Sequence, residues 1–128
     1  MSPTRWTTIC RYPSIDPERG VAALVDGAQV AVFRLHDGDL HAIDNIDPVS
    51  GAAVLARGIV GTRGAVPTVA SPMHKQVYDL RTGECLDLPG VRVTVYPVRR
   101  NGDLVEVGEV GEVGDRPTGP ADPGPAGG

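Results

Sequence analysis

The chain has 128 residues, of which 41% are hydrophobic and 22% charged, the size and composition of one ordinary globular domain. A net charge of −4 argues against a nucleic-acid partner, whose phosphates call for a basic surface, and no apolar run approaches the ~20 residues of a membrane span. Two cysteines are too few for a disulfide scaffold, a four-cysteine zinc site or an all-cysteine iron–sulfur cluster.

The opening segment, MSPTRWTTICRYPS, contains no apolar export signal, so the chain reads as cytoplasmic. Cys10 and Cys85 are then expected to remain reduced and inert. From residue 6 onward the apolar pattern has period two and comes in short runs. Residues 6–11 form one run. Residues 21–25 and 29–34 form a hairpin across Asp26-Gly27-Ala28, and residues 40–44 follow the Asp37-Gly38 turn. A short helical turn fits residues 50–55, with Ser50 as its N-cap. Strands are expected at 58–62 and 66–70 around Arg63-Gly64, then at 76–80 before the turn Arg81-Thr82-Gly83. A long strand at 91–100 and a last one at 104–107 flank Asn101-Gly102, residues that tolerate positive φ and mark a hairpin. About nine short strands with almost no helix predict an all-β antiparallel sandwich or barrel over residues 5–110. Residues 111–128 read as a disordered tail: nine of the fifteen residues 114–128 are Gly or Pro, and such a segment cannot bury enough surface to offset its ordering entropy.

Two segments interrupt the strand rhythm. Asn45-Ile46-Asp47-Pro48-Val49-Ser50-Gly51 follows one strand, and Ser71-Pro72-Met73-His74-Lys75 follows another. Each carries a proline that stops strand pairing, which makes the two loops candidates for a shared functional tip. The chemistry available elsewhere is thin. His36 and His41 flank the Asp37-Gly38 turn and read as surface residues, since two imidazoles without a third ligand make a poor metal site. Ser71, His74 and Asp47 have the residue types of a nucleophilic triad, without a nucleophile elbow. No Gly-rich phosphate loop opens a helix, which leaves no dinucleotide or ATP site on this chain.

The order of features resembles Rieske-type [2Fe–2S] domains. There, one strand leads into a Cys-x-His loop, and a later strand leads into Cys-Pro-x-His followed by an aromatic-Asp pair and a Thr-Gly turn. Here the second loop runs Ser71-Pro72-Met73-His74 and continues to Tyr78-Asp79 and Thr82-Gly83, while the first reads Asn45-Ile46-Asp47. The Pro, His, aromatic-Asp and Thr-Gly match. Asn45 and Ser71 stand where the resemblance places cysteines, and Asp47 where it places a histidine. Of the four ligand positions Asn45, Asp47, Ser71 and His74, only His74 keeps its ligand type. An amide and a hydroxyl cannot replace the thiolates such a cluster needs.

Within that group the chain resembles the small subunit of assimilatory NAD(P)H-dependent nitrite reductase, through Trp6-x-x-Ile9-Cys10, Gln29 to Arg34, Asp44-Asn45-Ile46-Asp47-Pro48, Leu55-Ala56-Arg57-Gly58, Ala70-Ser71-Pro72 and Lys75-Gln76. The resemblance implies a non-catalytic subunit of an oxidoreductase of nitrogen metabolism, with no cofactor or metal on this chain. Its partner would be a large subunit carrying FAD, a [4Fe–4S] cluster and sirohaem, which reduces nitrite to ammonium. Asn45, Asp47, Pro48, Ser71, Pro72, His74 and Lys75, the only lysine, are the expected interface residues. A Rieske ferredoxin carrying electrons, or an interaction module of another enzyme, are the alternatives.

Overall fold

The computed structural model describes residues 5–109; the tail expected at 111–128 lies outside the described residues. Ten strands occur among the described residues: β1 (Trp6–Arg11), β2 (Arg19–Val25), β3 (Ala28–Arg34), β4 (Leu40–Asp44), β5 (Ile59–Arg63), β6 (Val66–Ala70), β7 (Val77–Asp79), β8 (Val95–Tyr96), β9 (Val98–Asn101) and β10 (Leu104–Gly108). They form three antiparallel sheets, ordered β1-β10-β9, β2-β3-β4-β8 and β5-β6-β7.

The β2-β3-β4-β8 sheet is the middle layer, and β3 shows why. Its apolar run does not alternate with polar residues, because both faces are covered. Val30 and Val32 point into a core shared with Val105, Val107 and Ile15, while Ala31 and Phe33 point into a second core with Leu55, Val69, Tyr78 and Leu80. On β4 the same alternation sends Ala42 to the first core and Ile43 to the second. Six wholly buried residues from this one sheet thus hold the other two in place.

The turns follow from residue type. Asp26 and Gly27 both have positive φ, 51° and 84°, so the β2–β3 hairpin is a two-residue type I′ turn, one residue tighter than Asp26-Gly27-Ala28. The last hairpin shifts by one place: Asn101 pairs with Leu104, so the turn residues are Gly102 and Asp103, with positive φ only at Gly102. The long strand expected at 91–100 is broken. Pro97 has no N–H to donate, and at that point the chain changes sheets, from β8 on the middle layer to β9 beside β10. The helical turn expected at 50–55 is absent. Gly51 has φ of 77° and Ala53 bridges Ile46 in extended geometry; the Ser50 hydroxyl accepts from Ala52 N–H, and a single 3-10 turn follows at Leu55–Arg57.

Candidate functional site

The two interrupting loops connect β4 to β5 and β6 to β7. The first is organised by Asn45 and Asp47. The Asn45 side-chain oxygen accepts from Ala56 N–H at 2.8 Å and its backbone oxygen from Leu55 N–H at 3.0 Å, anchoring the 3-10 turn. Asp47 Oδ1 accepts from Val49 N–H at 2.9 Å, an Asx turn that fixes Pro48. The second loop is closed by Ser71 N–H to the Gln76 carbonyl and Lys75 N–H to the Ser71 carbonyl, both 2.9 Å. Lys75 takes the left-handed conformation to complete it, with φ of 64°.

The two loops meet at one carboxylate. The Ser71 hydroxyl donates to Asp47 Oδ2 at 2.6 Å. The Gln76 side-chain amide donates to Asp47 Oδ1 at 2.8 Å, and the Tyr78 hydroxyl to the same oxygen at 3.1 Å. Gln76 Nε2 also donates to the Tyr78 oxygen at 3.0 Å, closing a ring of three polar groups. Asp47 and Tyr78 have no exposed surface, and Ser71 and Gln76 have 1% and 5%. Burial pushes the Asp47 carboxyl upward, but the hydrogen bonds from Ser71, Val49 N–H, Tyr78 and Gln76 outweigh it and hold the group below the ordinary carboxylate range. Burial first, then the neighbouring Asp47 charge, push the Tyr78 phenol up to about 12, against the hydrogen bond from Gln76. Asp47 is therefore a buried anion with its lone pairs engaged, the condition under which a buried charge is tolerated.

This arrangement corrects the interface expected from sequence. Asn45, Asp47 and Ser71 are buried inside the tip. Pro48, Pro72, His74 and Lys75 are exposed. So are three apolar side chains that the reading of the loops passed over: Ile46 and Val49, each 43% exposed, and Met73 at 53%. Val49 N–H bonds Asp47 and Met73 N–H bonds the Ser71 hydroxyl at 3.2 Å, so these side chains flank the same buried link. Gln76 and Tyr78 were also missed as site residues. Their signal was available: they stand two apart at the head of a strand, on the same face, and Gln76 is polar where the pattern calls for a core residue.

The four positions Asn45, Asp47, Ser71 and His74 do not fit an iron–sulfur cluster. None offers a thiolate, and the oxygens of Asn45, Asp47 and Ser71 are committed to hydrogen bonds within the protein. Among the described residues there is no group of three or more His, Cys, Asp or Glu side chains able to hold a metal ion. A nucleophilic triad is ruled out by connectivity, because the Ser71 hydroxyl donates directly to Asp47 with no imidazole between them. His36 is exposed, but His41 is half-buried opposite Phe33, and burial lowers its pKa against the opposing pull of Asp39 and a hydrogen bond with the Leu80 backbone. Cys10 packs at the first core and Cys85 lies in the second, on opposite sides of the middle sheet; both are free thiols.

A three-sheet β-domain with two Pro-bearing loops at one end, tied together by a carboxylate at the ligand positions, defines a Rieske-like domain with an altered tip. Residues 5–108 match the Rieske-like [2Fe–2S] domain family. The small subunit of NADH nitrite reductase from Salmonella typhimurium is 38% identical over 105 residues, 81% of this chain and 97% of that one. A crystal structure from Mycobacterium tuberculosis, provisionally assigned as an NADH-dependent nitrite reductase small subunit, is 50% identical with a TM-score of 0.82, covering 86% of this chain and 99% of its own. The chain belongs to the nitrite reductase small-subunit family of Rieske-like domains. A protein from Klebsiella oxytoca is also 38% identical over 103 residues; these are 80% of this chain but 11% of that much longer one, which is named the NAD(P)H nitrite reductase large subunit. No helix among the described residues is long and apolar enough to cross a membrane.

Proposed function

We propose that this chain is the non-catalytic small subunit of a cytoplasmic, NAD(P)H-dependent nitrite reductase, carrying no redox cofactor of its own. Its large partner would supply FAD, a [4Fe–4S] cluster and sirohaem, and with them the reduction of nitrite to ammonium. The observation that supports the reading is the Asp47 link in a member of this family. At the ligand positions a hydrogen-bonded carboxylate ties together the two loops that a cluster would otherwise join. The electron-carrier alternative requires thiolates that Asn45 and Ser71 do not supply.

The contribution of this chain is then mechanical. Asp47, Ser71, Gln76 and Tyr78 hold the loops in one conformation, so the exposed Pro48, Pro72, His74 and Lys75 are presented to the large subunit with little entropy left to lose on docking. The test is nitrite-dependent NAD(P)H oxidation by the large subunit with and without this chain. The reading expects no turnover from this chain alone and greater activity or a longer half-life of the large subunit in its presence. A chain that accepts electrons by itself, or leaves the large subunit unaltered in both respects, would contradict it.

A further inference from the structure

The points where the chain enters and leaves the described domain lie at the same pole. Trp6 pairs with Gly108, Glu109 N–H donates to the Arg5 carbonyl at 3.2 Å, and the Arg5 guanidinium lies 3.6 Å from Asp26 in the β2–β3 turn. Just beyond that turn, Gln29 pairs with Leu24 on one side, and on the other its carbonyl accepts from Asn45 N–H at 3.0 Å. The first loop therefore starts at this pole, and the Ser71–Asp47 bond brings the second loop to it.

Exposed apolar surface gathers in the same place. Of the eight large hydrophobic side chains exposed among the described residues, four are Leu24, Ile46, Val49 and Met73, and Leu24 is 68% exposed. Leu24 stands two strands from Asn45, about 10 Å at ordinary strand spacing, so it extends the patch made by the loops. Isolated exposed leucines need no explanation, but a group of this kind on a stiff support has the character of an interface core.

We infer that this pole, with Leu24, Ile46, Val49 and Met73 at its centre and His74 and Lys75 at its rim, is the face seated on the large subunit, one copy to each. The inference rests on the functional reading above. The occupant follows from the Klebsiella oxytoca protein, in which one polypeptide named as the large subunit contains a counterpart of this domain. Such a fusion supplies one domain per large subunit. It also tethers the domain at one or both of its boundaries, and here the boundary residues Arg5 and Glu109 lie at the same pole as the patch. The core of the patch is apolar, and its truncation or charging falls on the dissociation rate and the affinity.

The test uses the full chain and the purified large subunit. Light scattering on the complex measures stoichiometry, and titration calorimetry compares the unsubstituted chain with an Ile46→Asp, Met73→Asp double variant. Leu104→Asp is the control: Leu104 is 39% exposed but lies opposite Arg11, about 17 Å along β1 from Trp6. Thermal midpoints confirm that each variant is folded. The expected result is a one-to-one complex, at least tenfold weaker binding by the double variant, and binding within twofold of the unsubstituted chain for Leu104→Asp. Unchanged affinity in the double variant, two copies per large subunit, or self-association of this chain through the patch would overturn the face while leaving the functional reading intact. No complex with the unsubstituted chain would overturn both.

Discussion

The hydroxyl of Ser71 and the carboxylate of Asp47 lie 2.6 Å apart in the interior, joining two loops whose residues are 24 positions distant in sequence. Around them Gln76, Tyr78 and the Val49 N–H complete the coordination of a fully buried anion. A hydrogen bond to a charged group contributes about 1.5–3 kcal/mol, and an abandoned buried donor costs a similar amount. Asp47→Ala strands three side-chain donors at once and is expected to lower stability by about 3–5 kcal/mol in urea unfolding. Asp47→Asn keeps one carbonyl oxygen for Gln76 and Tyr78 and should lose about half as much. Equal losses from both variants would show that the charge contributes nothing beyond the volume it fills.

The same group contributes to the acid limit of the fold. Asp47 is held below the ordinary carboxylate pKa by its hydrogen bonds, against the effect of burial. Asp79, against burial again, is held low by the side chain and N–H of Arg81. A carboxyl depressed in the folded state binds fewer protons there than in the unfolded chain. Its stabilisation is complete above roughly pH 4, the unfolded value, and is lost as pH falls through the folded value. His41, held low by burial, adds an earlier decline below about pH 6.5, because the unfolded chain takes up a proton that the folded one resists. Urea midpoints measured from pH 7 to pH 3 should fall with decreasing pH. The slope below about pH 4 should be shallower in Asp47→Asn; an identical slope in both proteins would remove Asp47 from the account.

Much of the fold is legible in the residues. Period-two runs locate the strands, and Asp26-Gly27 marks its hairpin. The break at Pro97 is legible too, since a proline leaves one ladder hydrogen bond without a donor and disfavours the middle of a long paired strand. Reading 91–100 as one strand gave the apolar pattern more weight than that missing donor. The tip is harder. A Pro-bearing loop after a strand reads as exposed, and for Pro48, Pro72, His74 and Lys75 it is. Burial of Asn45, Asp47 and Ser71 depends on partners 11 to 31 residues away, and local pattern carries no information about a contact of that range. The helical reading of 50–55 failed for a local reason, since Gly51 in the left-handed region ends any helix starting at Ser50.

Gly83 provides a test of the packing between the Thr82-Gly83 turn and the segment before β8. Its φ is 82°, and a Cβ placed there would run into the Val93 carbonyl and touch Val95 Cγ2 at 3.1 Å. Conformational strain and collision act together, and the neighbour is backbone that cannot rotate away. Gly83→Ala is expected to destabilise by more than about 2 kcal/mol, measured by thermal or urea unfolding. Gly64→Ala shares the positive φ, at 66°, but meets nothing within 4 Å, and should cost about 1 kcal/mol. Similar costs for the two would mean that the close approach at Gly83 is relieved by movement.

The thiols offer an independent measure of the two cores. Burial raises the Cys10 thiol, and Cys85 is 7% exposed within the second core. Both are expected to react slowly with a thiol reagent in the folded protein, Cys85 the slower, and both rapidly in denaturant. Immediate labelling of Cys85 under native conditions would contradict the packing described for that core.

Chemical analysis of the chain purified by itself addresses the central claim most directly, namely that Asp47 and its donors occupy the role of a cluster in tying the loops. Iron and acid-labile sulfide should both be near zero after anaerobic preparation, with no visible absorption, while the chain melts cooperatively without added metal. About two irons and two sulfides per chain, with the charge-transfer bands of a [2Fe–2S] centre, would contradict it.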